Sequence, residues 1–271
     1  MVRVCRVESS QLQRWKGAFG AAYLARNPPN DDHEARVAVG WGVLLSHMSP
    51  APRSILEVGA ANGHNLRALH RLWDAELWAV EPSDEARRIL AEAPPRFALA
   101  GHSMGGYIAF EIMRQAPQRV AKLALINTQA RPDTPEATAR RRSQIARAKS
   151  GDYRAVLDEL FLGFVHPSRR EDATLRQLVH DMGDDVGAEA FVRQQTAVLS
   201  RPDSRPTLAW IKCPTLVLTG DEDNTIPNSL SVEMADGIHG AKLVILSNCG
   251  HLPQPEQPQA TADALVEWLR N

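Results

Sequence analysis

The sequence predicts an α/β fold in which a doubly wound, mostly parallel sheet carries a helical insertion. Short apolar runs of strand length alternate with segments of helical periodicity, which is typical of parallel strands joined by helices. The alternation stops between residues 129 and 207, where the pattern is helical or loop-like throughout. With 271 residues, the chain is long enough for one large α/β domain or two small ones.

The first predicted elements form a strand–helix–strand–helix unit. Apolar runs predict strands at residues 53–59 and 76–82, and helical periodicity predicts helices at 65–73 and 83–93. Two parallel strands joined by a right-handed crossover lie side by side in a sheet, so the strands at 53–59 and 76–82 should be neighbours, with the strand at 96–101 on the other side of the first. We therefore expect this unit, within residues 1–95, to join the same sheet as the rest of the chain.

The remainder, residues 96–271, has the same alternation on both sides of the helical block. Strands are predicted at 96–101, 121–128, 213–220 and 241–248, and helices at 105–117, 228–238 and 257–270. The helical block between them is predicted to be an insertion at about 129–207.

Composition narrows the classes of partner. Thirty-one basic residues against thirty-two acidic ones leave no field that would recruit nucleic acid or an anionic membrane, so a small-molecule substrate is expected. The sequence has no apolar run of about 20 residues and no apolar N-terminal signal region, which predicts a cytoplasmic location. The three widely spaced cysteines indicate neither a disulfide framework nor a cysteine-rich metal site.

A Gly-x-Ser-x-Gly motif surrounds Ser103, between a predicted strand and a predicted helix. A serine hydroxyl is a weak nucleophile until a base takes its proton, so it must stand clear of its own backbone and close to a histidine. A tight strand-to-helix turn achieves this with very small neighbours, here Gly101, Gly105 and Gly106. The backbone N–H of Met104, at the helix start, would then face a developing oxyanion.

An acid and a histidine are expected later in the chain, each at the end of a strand. Asp221 and Asp223 directly follow one late strand, and His251 lies just past the final strand. Because the carboxyl ends of parallel strands lie at one edge of a sheet, these side chains are expected on the same rim as Ser103.

From about residue 97 onward, these motifs resemble those of the α/β-hydrolase superfamily. The family pattern Gly-x-x-Asp-x-x-x-Pro matches Gly220, Asp223 and Pro227, so the resemblance implies Asp223 as the acid and Asp221 as a loop residue. The pattern around the family's histidine matches Gly250, His251, Glu256 and Pro258. The resemblance implies a nucleophile at Ser103, a base at His251, and hydrolysis without a cofactor or metal.

The helical block lies where such hydrolases insert a cap over the active site. Its apolar residues either pack against the main domain or line an acyl or ring pocket; they include Phe161, Leu162, Phe164, Val165, Phe191 and Val198. A serine nucleophile, rather than an aspartate, implies hydrolysis of an ester, thioester, lactone or carbon–carbon bond.

Residues 1 to about 95 resemble a different family, the class I S-adenosylmethionine-dependent methyltransferases. In that family a glycine turn after the first strand approaches the cofactor, and an acid at the end of the second strand binds its ribose. Glu57, Gly59, Gly63 and Glu81 match this pattern, whereas Ala61 stands where many relatives have glycine. The later methyltransferase strands are missing, so the chain resembles a hybrid joined near residue 95.

Three functions follow from these two resemblances. The first is a serine hydrolase, whose chemical residues are all present; the second is an S-adenosylmethionine-binding protein; the third is a folded but catalytically silent hybrid. In a continuous sheet, the glycine turn after the first strand would replace the hydrolase turn that supplies the second oxyanion donor. The backbone N–H of Ala60 or Ala61 is therefore the candidate for that donor.

Overall fold

The computed structural model of the chain describes residues 54–58, 76–80 and 93–270, the first two ranges as backbone only. Six parallel strands form one sheet in the order β2-β1-β3-β4-β5-β6. The strands are β1 (Ser54–Val58), β2 (Glu76–Val80), β3 (Phe97–His102), β4 (Val120–Ile126), β5 (Thr215–Gly220) and β6 (Lys242–Leu246). The predicted parallel α/β sheet is thus confirmed, with β1 between β2 and β3.

Eight α-helices are described. They are α1 (Met104–Gln115), α2 (Pro135–Lys149), α3 (Tyr153–Phe164), α4 (Ala173–Leu199), α5 (Arg205–Leu208), α6 (Asn228–Gly237), α7 (Pro253–Glu256) and α8 (Pro258–Arg270). The helix predicted at 65–73, and nearly all of the helix predicted at 83–93, lie outside the described residues. Within the described part of the chain, no helix is both long and apolar enough to cross a bilayer.

The central strands are apolar on both faces because helices cover both sides of the sheet. Along β4, Leu123 and Leu125 pack into one buried cluster with α1 and α6, and Ala124 and Ile126 pack into another with α8. Successive side chains of a strand point to opposite faces. A run that is apolar at every position is therefore what a strand buried on both faces requires.

Helices α2, α3 and α4 pack against one another beside the sheet. One cluster joins all three through Ala148, Val156 and Phe191. A second cluster includes Phe161 of α3 together with Leu252, the residue that follows His251. The helical segment is therefore in direct contact with the loop that carries the predicted histidine.

Candidate active site

Ser103 lies in a strained turn between β3 and α1. Its φ of 51° and ψ of −115° are unusual for a residue other than glycine. Its N–H donates to Ile126 O at 2.9 Å, and its carbonyl oxygen accepts from Gly106 N at 3.0 Å and Thr128 Oγ1 at 2.8 Å. These three bonds hold the backbone in a conformation that presents the hydroxyl away from the strand.

The glycines of the motif are required by close approaches of the backbone. A Cβ atom on Gly101 would lie 2.5 Å from the carbonyl oxygen of Gly105. A Cβ atom on Gly106 would lie 2.3 Å from Oγ1 of Thr128, the side chain that holds Ser103 O. The strand and the helix therefore approach each other more closely than any side chain at these positions allows.

The structure brings the three predicted side chains into one chain of hydrogen bonds. Ser103 Oγ lies 2.8 Å from His251 Nε2, and His251 Nδ1 lies 2.8 Å from Asp223 Oδ2. A carboxylate can only accept, so Nδ1 carries the proton and Nε2 is free to accept from the serine hydroxyl. The imidazole is thus in the tautomer that a general base for Ser103 requires.

Asp223 is a buried carboxylate with four hydrogen-bond donors. Oδ1 accepts from the N–H groups of Thr225 and Ile226, both at 2.9 Å, and Oδ2 accepts from His251 and from Asn127 Nδ2. Burial opposes ionisation, but the charge of His251 and these hydrogen bonds outweigh it and lower the pKa of Asp223. The carboxylate is therefore ionised at neutral pH, as an orienting acid must be.

Asn127 connects the acid to the histidine loop, a role that the sequence analysis did not identify. It follows β4 directly, is fully buried, and has a φ of 42°. Its Nδ2 donates to Asp223 Oδ2 at 2.8 Å and to Gly250 O at 3.1 Å. Asn tolerates positive φ, and the carboxyl ends of parallel strands lie on the rim that carries the site. An asparagine at the end of a predicted strand was therefore the sequence feature that could have indicated this residue.

His102 also contacts the histidine loop, although the sequence pattern indicated no role for it. Its Nε2 lies 2.8 Å from the carbonyl oxygen of His251, so Nε2–H is the donor, and the two ring centroids are 5.2 Å apart. Burial and the nearby charge of His251 lower the pKa of His102 to about 4. His102 is therefore a neutral donor at pH 7 that holds the backbone of His251.

Of the six apolar residues considered for a substrate pocket, Phe164 has a ring that contacts His251. Its ring stacks on the imidazole, with centroids 5.1 Å apart and planes at 26°. Leu162 is 42% exposed. The other four are buried: Phe161 and Val165 in one cluster of the helical segment, Phe191 in another, and Val198 near the end of α4. Packing therefore explains most of these residues.

Asp221, the alternative acid, faces away from this chain of bonds. Its side chain is exposed, and its two oxygens accept from the N–H groups of Asn248 and Cys249, each at 3.0 Å. It therefore joins the loop after β5 to the loop after β6 without contacting His251. The loop position implied by the family pattern agrees with this placement.

The remaining predicted residues fall into two groups. Met104 is the first residue of α1, where backbone N–H groups point out of the helix end. The others lie in or near the first two strands. Of the four residues of the methyltransferase pattern, Glu57 lies in β1, where only backbone is described, and Gly59, Gly63 and Glu81 lie outside the described residues, as do the candidate oxyanion donors Ala60 and Ala61. Across residues 93–270, no group of His, Cys, Asp and Glu is arranged to hold a metal ion.

A parallel sheet covered on both faces, with a strained serine between a strand and a helix, defines an enzyme fold of the α/β-hydrolase type. The sequence model of the Alpha/beta hydrolase family matches residues 40–264, and the chain belongs to that family. The match begins at residue 40 and so includes residues 40–95 of the segment that was predicted from the sequence to be methyltransferase-like.

Proteins similar to this chain in sequence or in fold are named as different kinds of hydrolase. The 2-hydroxy-6-oxononadienedioate/2-hydroxy-6-oxononatrienedioate hydrolase of Cupriavidus pinatubonensis is 28% identical over 94% of this chain and 83% of its own. A thermophilic esterase from Thermogutta terrifontis is 34% identical over 65% of each chain, with a TM-score of 0.58. The enol-lactonase from Burkholderia xenovorans LB400 has a TM-score of 0.68 at 21% identity, covering 82% of this chain and 93% of its own.

Proposed function

We propose that the protein is a serine hydrolase with Ser103 as nucleophile, His251 as general base and then general acid, and Asp223 as the orienting carboxylate. The observation that carries the proposal is the pair of 2.8 Å contacts from Ser103 Oγ through the His251 imidazole to Asp223. His251 takes the serine proton as Ser103 attacks the acyl carbon, and then protonates the leaving group. Water activated by the same imidazole releases the acyl group and regenerates Ser103.

The negative charge that develops on the substrate oxygen requires donors placed for it. The N–H of Met104, at the N-terminus of α1, is the first donor in this proposal. The second is the N–H of Ala60 or Ala61, after β1, because β1 pairs with β3 and so ends at the rim that carries Ser103. The sequence of this turn resembles one that approaches a nucleotide and need not aim the N–H at the oxyanion, so we propose a slow hydrolase that is acylated by activated esters better than it turns over ordinary ones.

The substrate proposed is a small ester, thioester, lactone or related acyl compound. The relatives named as an esterase, an enol-lactonase and a hydrolase of oxo-dioates all fit acyl chemistry of this kind. Phe164, stacked on His251, supports a role for the helical segment at 129–207 as the cap over the site. The proposed reaction needs no cofactor, metal, nucleic acid or membrane. The protein is proposed to be cytoplasmic.

A fluorophosphonate probe tests the proposal without knowledge of the substrate, because it reacts with activated serines. The wild-type protein should be labelled at Ser103, and Ser103→Ala should lose both labelling and hydrolysis of p-nitrophenyl acetate. Ser150→Ala, at an exposed serine after α2, is the matched control and should be labelled normally. Labelling of Ser103→Ala at the wild-type rate would refute the proposal.

The hybrid origin of the chain is a separate hypothesis. It attributes residues 1–95 to a methyltransferase-like unit and residues 96–271 to a hydrolase core. Under this hypothesis, S-adenosylmethionine would contact the glycine turn and Glu81, and a silent hybrid would neither bind it nor react with the probe. The two tests, probe labelling and cofactor binding, therefore separate the three candidate functions.

A further inference from the structure

A second buried carboxylate, Glu256, lies next to the histidine loop and takes no part in the proposed chemistry. Its side chain is fully buried at the end of α7. Oε1 accepts from the N–H of Gly250 at 2.9 Å and of Leu252 at 3.3 Å, the two residues that flank His251. Oε2 accepts from the N–H of His166 at 2.7 Å. The two oxygens thus bind two different parts of the chain.

The part bound by Oε2 is the end of α3 and the residues after it, 163–166, here called the α3 exit segment. Within it, the carbonyl oxygen of Phe164 accepts from His251 N at 2.6 Å, and the Phe164 ring stacks on the imidazole. The carbonyl oxygen of Gly163 accepts from Thr225 Oγ1 at 3.1 Å. The α3 exit segment therefore contacts both the loop of His251 and the loop of Asp223.

The fit between this segment and the histidine loop is close. A Cβ atom on Gly250 would lie 2.6 Å from both His166 N and Phe164 O. The guanidinium of Arg169 offsets part of the negative charge of the buried carboxylate, because its Nε lies 4.0 Å from Oε2. Its Nη2 also donates to the backbone carbonyl oxygen of Glu256 at 3.0 Å. Hydrogen bonds from N–H groups to a carboxylate are stronger than neutral ones, so the bonds to Glu256 favour a single position of the α3 exit segment.

We propose that Glu256 is a positioning residue whose carboxylate fastens the α3 exit segment to the histidine loop and thereby holds the His251 imidazole between Ser103 and Asp223. The inference rests on the proposed function. Glutamate suits this role because both of its oxygens accept. Glutamine has one accepting oxygen and one NH2 group, so one of the two partners would face a donor instead of an acceptor.

Glu256→Gln tests the proposal with two readouts. The fluorophosphonate labelling rate of folded protein should fall by about ten- to a hundredfold, because small misplacements of a catalytic group have effects of this size. The downfield proton NMR signal of the His251 Nδ1–H bonded to Asp223, assigned with His251→Ala, should broaden or shift. Glu267→Gln is the matched control, since exposed Glu267 on α8 pairs with Lys242 at the edge strand and should leave both readouts unchanged.

A second variant removes a single donor and keeps the carboxylate. His166 has φ −54° and ψ 142°, and Val165 before it is extended, so His166→Pro fits the backbone while deleting the N–H that binds Oε2. His166→Ala loses the same ring but keeps the N–H. His166→Pro should therefore be labelled about tenfold more slowly than His166→Ala. This pair decides the question if Glu256→Gln does not fold.

Wild-type labelling rates and an unchanged NMR signal in both Glu256→Gln and His166→Pro would overturn the positioning role. A wild-type protein that the probe does not label would instead refute the proposed hydrolase. In that case the NMR signal still decides the role of Glu256, because it reports the hydrogen bond of His251 in the absence of any reaction.

Discussion

The two halves of the proposed site are held in place by different means. The turn of Ser103 is bonded to Ile126 and Thr128 at the end of β4. It also requires glycines within three residues of the serine, such as Gly101, whose added Cβ would meet the backbone of Gly105. The loop of His251 is held by side chains distant in sequence, among them Asn127 and His102. The glycines that the serine turn requires are visible in a short sequence motif. The contacts that hold the loop of His251 depend on the whole fold.

Asp223→Asn disrupts the histidine side and leaves the serine turn intact, and it should have the largest effect. An amide can donate to Nδ1 and so favours the wrong tautomer of His251, which typically lowers the rate by about 10⁴-fold. The measurement is the probe labelling rate together with hydrolysis of p-nitrophenyl acetate. Asp221→Asn, at the exposed carboxylate of the same loop, should cost far less; equal losses in the two variants would contradict the assignment of the acid.

Gly101→Ala disrupts the serine side. The added Cβ would lie 2.5 Å from Gly105 O, so β3 and α1 must separate and Ser103 must shift. We expect a loss of about 1–3 kcal/mol in the free energy of unfolding and about a 10²-fold slower labelling rate. Gly151→Ala, where the added Cβ meets open space but φ is +93°, should cost stability alone. Unchanged labelling of Gly101→Ala would show that the turn tolerates a wider separation.

The burial of His102 should make the stability of the protein depend on pH. An unfolded histidine takes up a proton near pH 6.5, whereas the pKa of about 4 keeps folded His102 neutral. The free energy of unfolding should therefore fall as pH decreases from 6.5 to 4, by up to about 3 kcal/mol. Glutamine can still donate to His251 O but does not take up a proton. The free energy of unfolding of His102→Gln, measured with urea, should therefore vary less with pH in this range.

The matched control for that experiment is His239→Gln, at an exposed histidine far along the chain. Its unfolding free energy should follow the wild-type pH dependence. If His102→Gln follows the wild-type curve as well, then His102 is not the group that responds between pH 6.5 and 4.

The smallest effect is expected in a binding experiment with S-adenosylmethionine. Under the hybrid hypothesis, only the glycine turn and Glu81 of a methyltransferase cofactor site would be present, without the later strands that complete a cofactor cleft. Calorimetry should show weak binding or none, in wild type and in Glu81→Ala alike. Micromolar affinity that Glu81→Ala abolishes would instead place a second function on the N-terminal segment.

The sequence identified the three side chains that the structure brings together, but not the roles of the residues that hold them in place. Ser103, Asp223 and His251 each belong to a local pattern at the end of a strand, and parallel strands bring such ends to one rim. Asn127 and His102 match no such pattern, because each acts through a hydrogen bond to a backbone group of a loop distant in sequence. Glu256 belongs to the family pattern around His251, but that pattern does not indicate its bond to His166. The apolar residues of the helical segment were equally uninformative, since Phe161 and Phe164 are similar in sequence but differ in what they contact.

By itself, the sequence determined the alternation of strands and helices, the glycine-bounded serine turn and the order of Ser103, Asp223 and His251 along the chain, because these depend on local periodicity and local steric limits. The tertiary structure decided how the strands are ordered, with β1 next to β3, and which buried groups hold the histidine. Those features depend on contacts between residues that can be more than a hundred positions apart, as in the hydrogen bonds of His102 and Asn127 to the histidine loop. Short patterns hold no information on such contacts, since a buried donor finds its acceptor only after the sheet and its helices have packed.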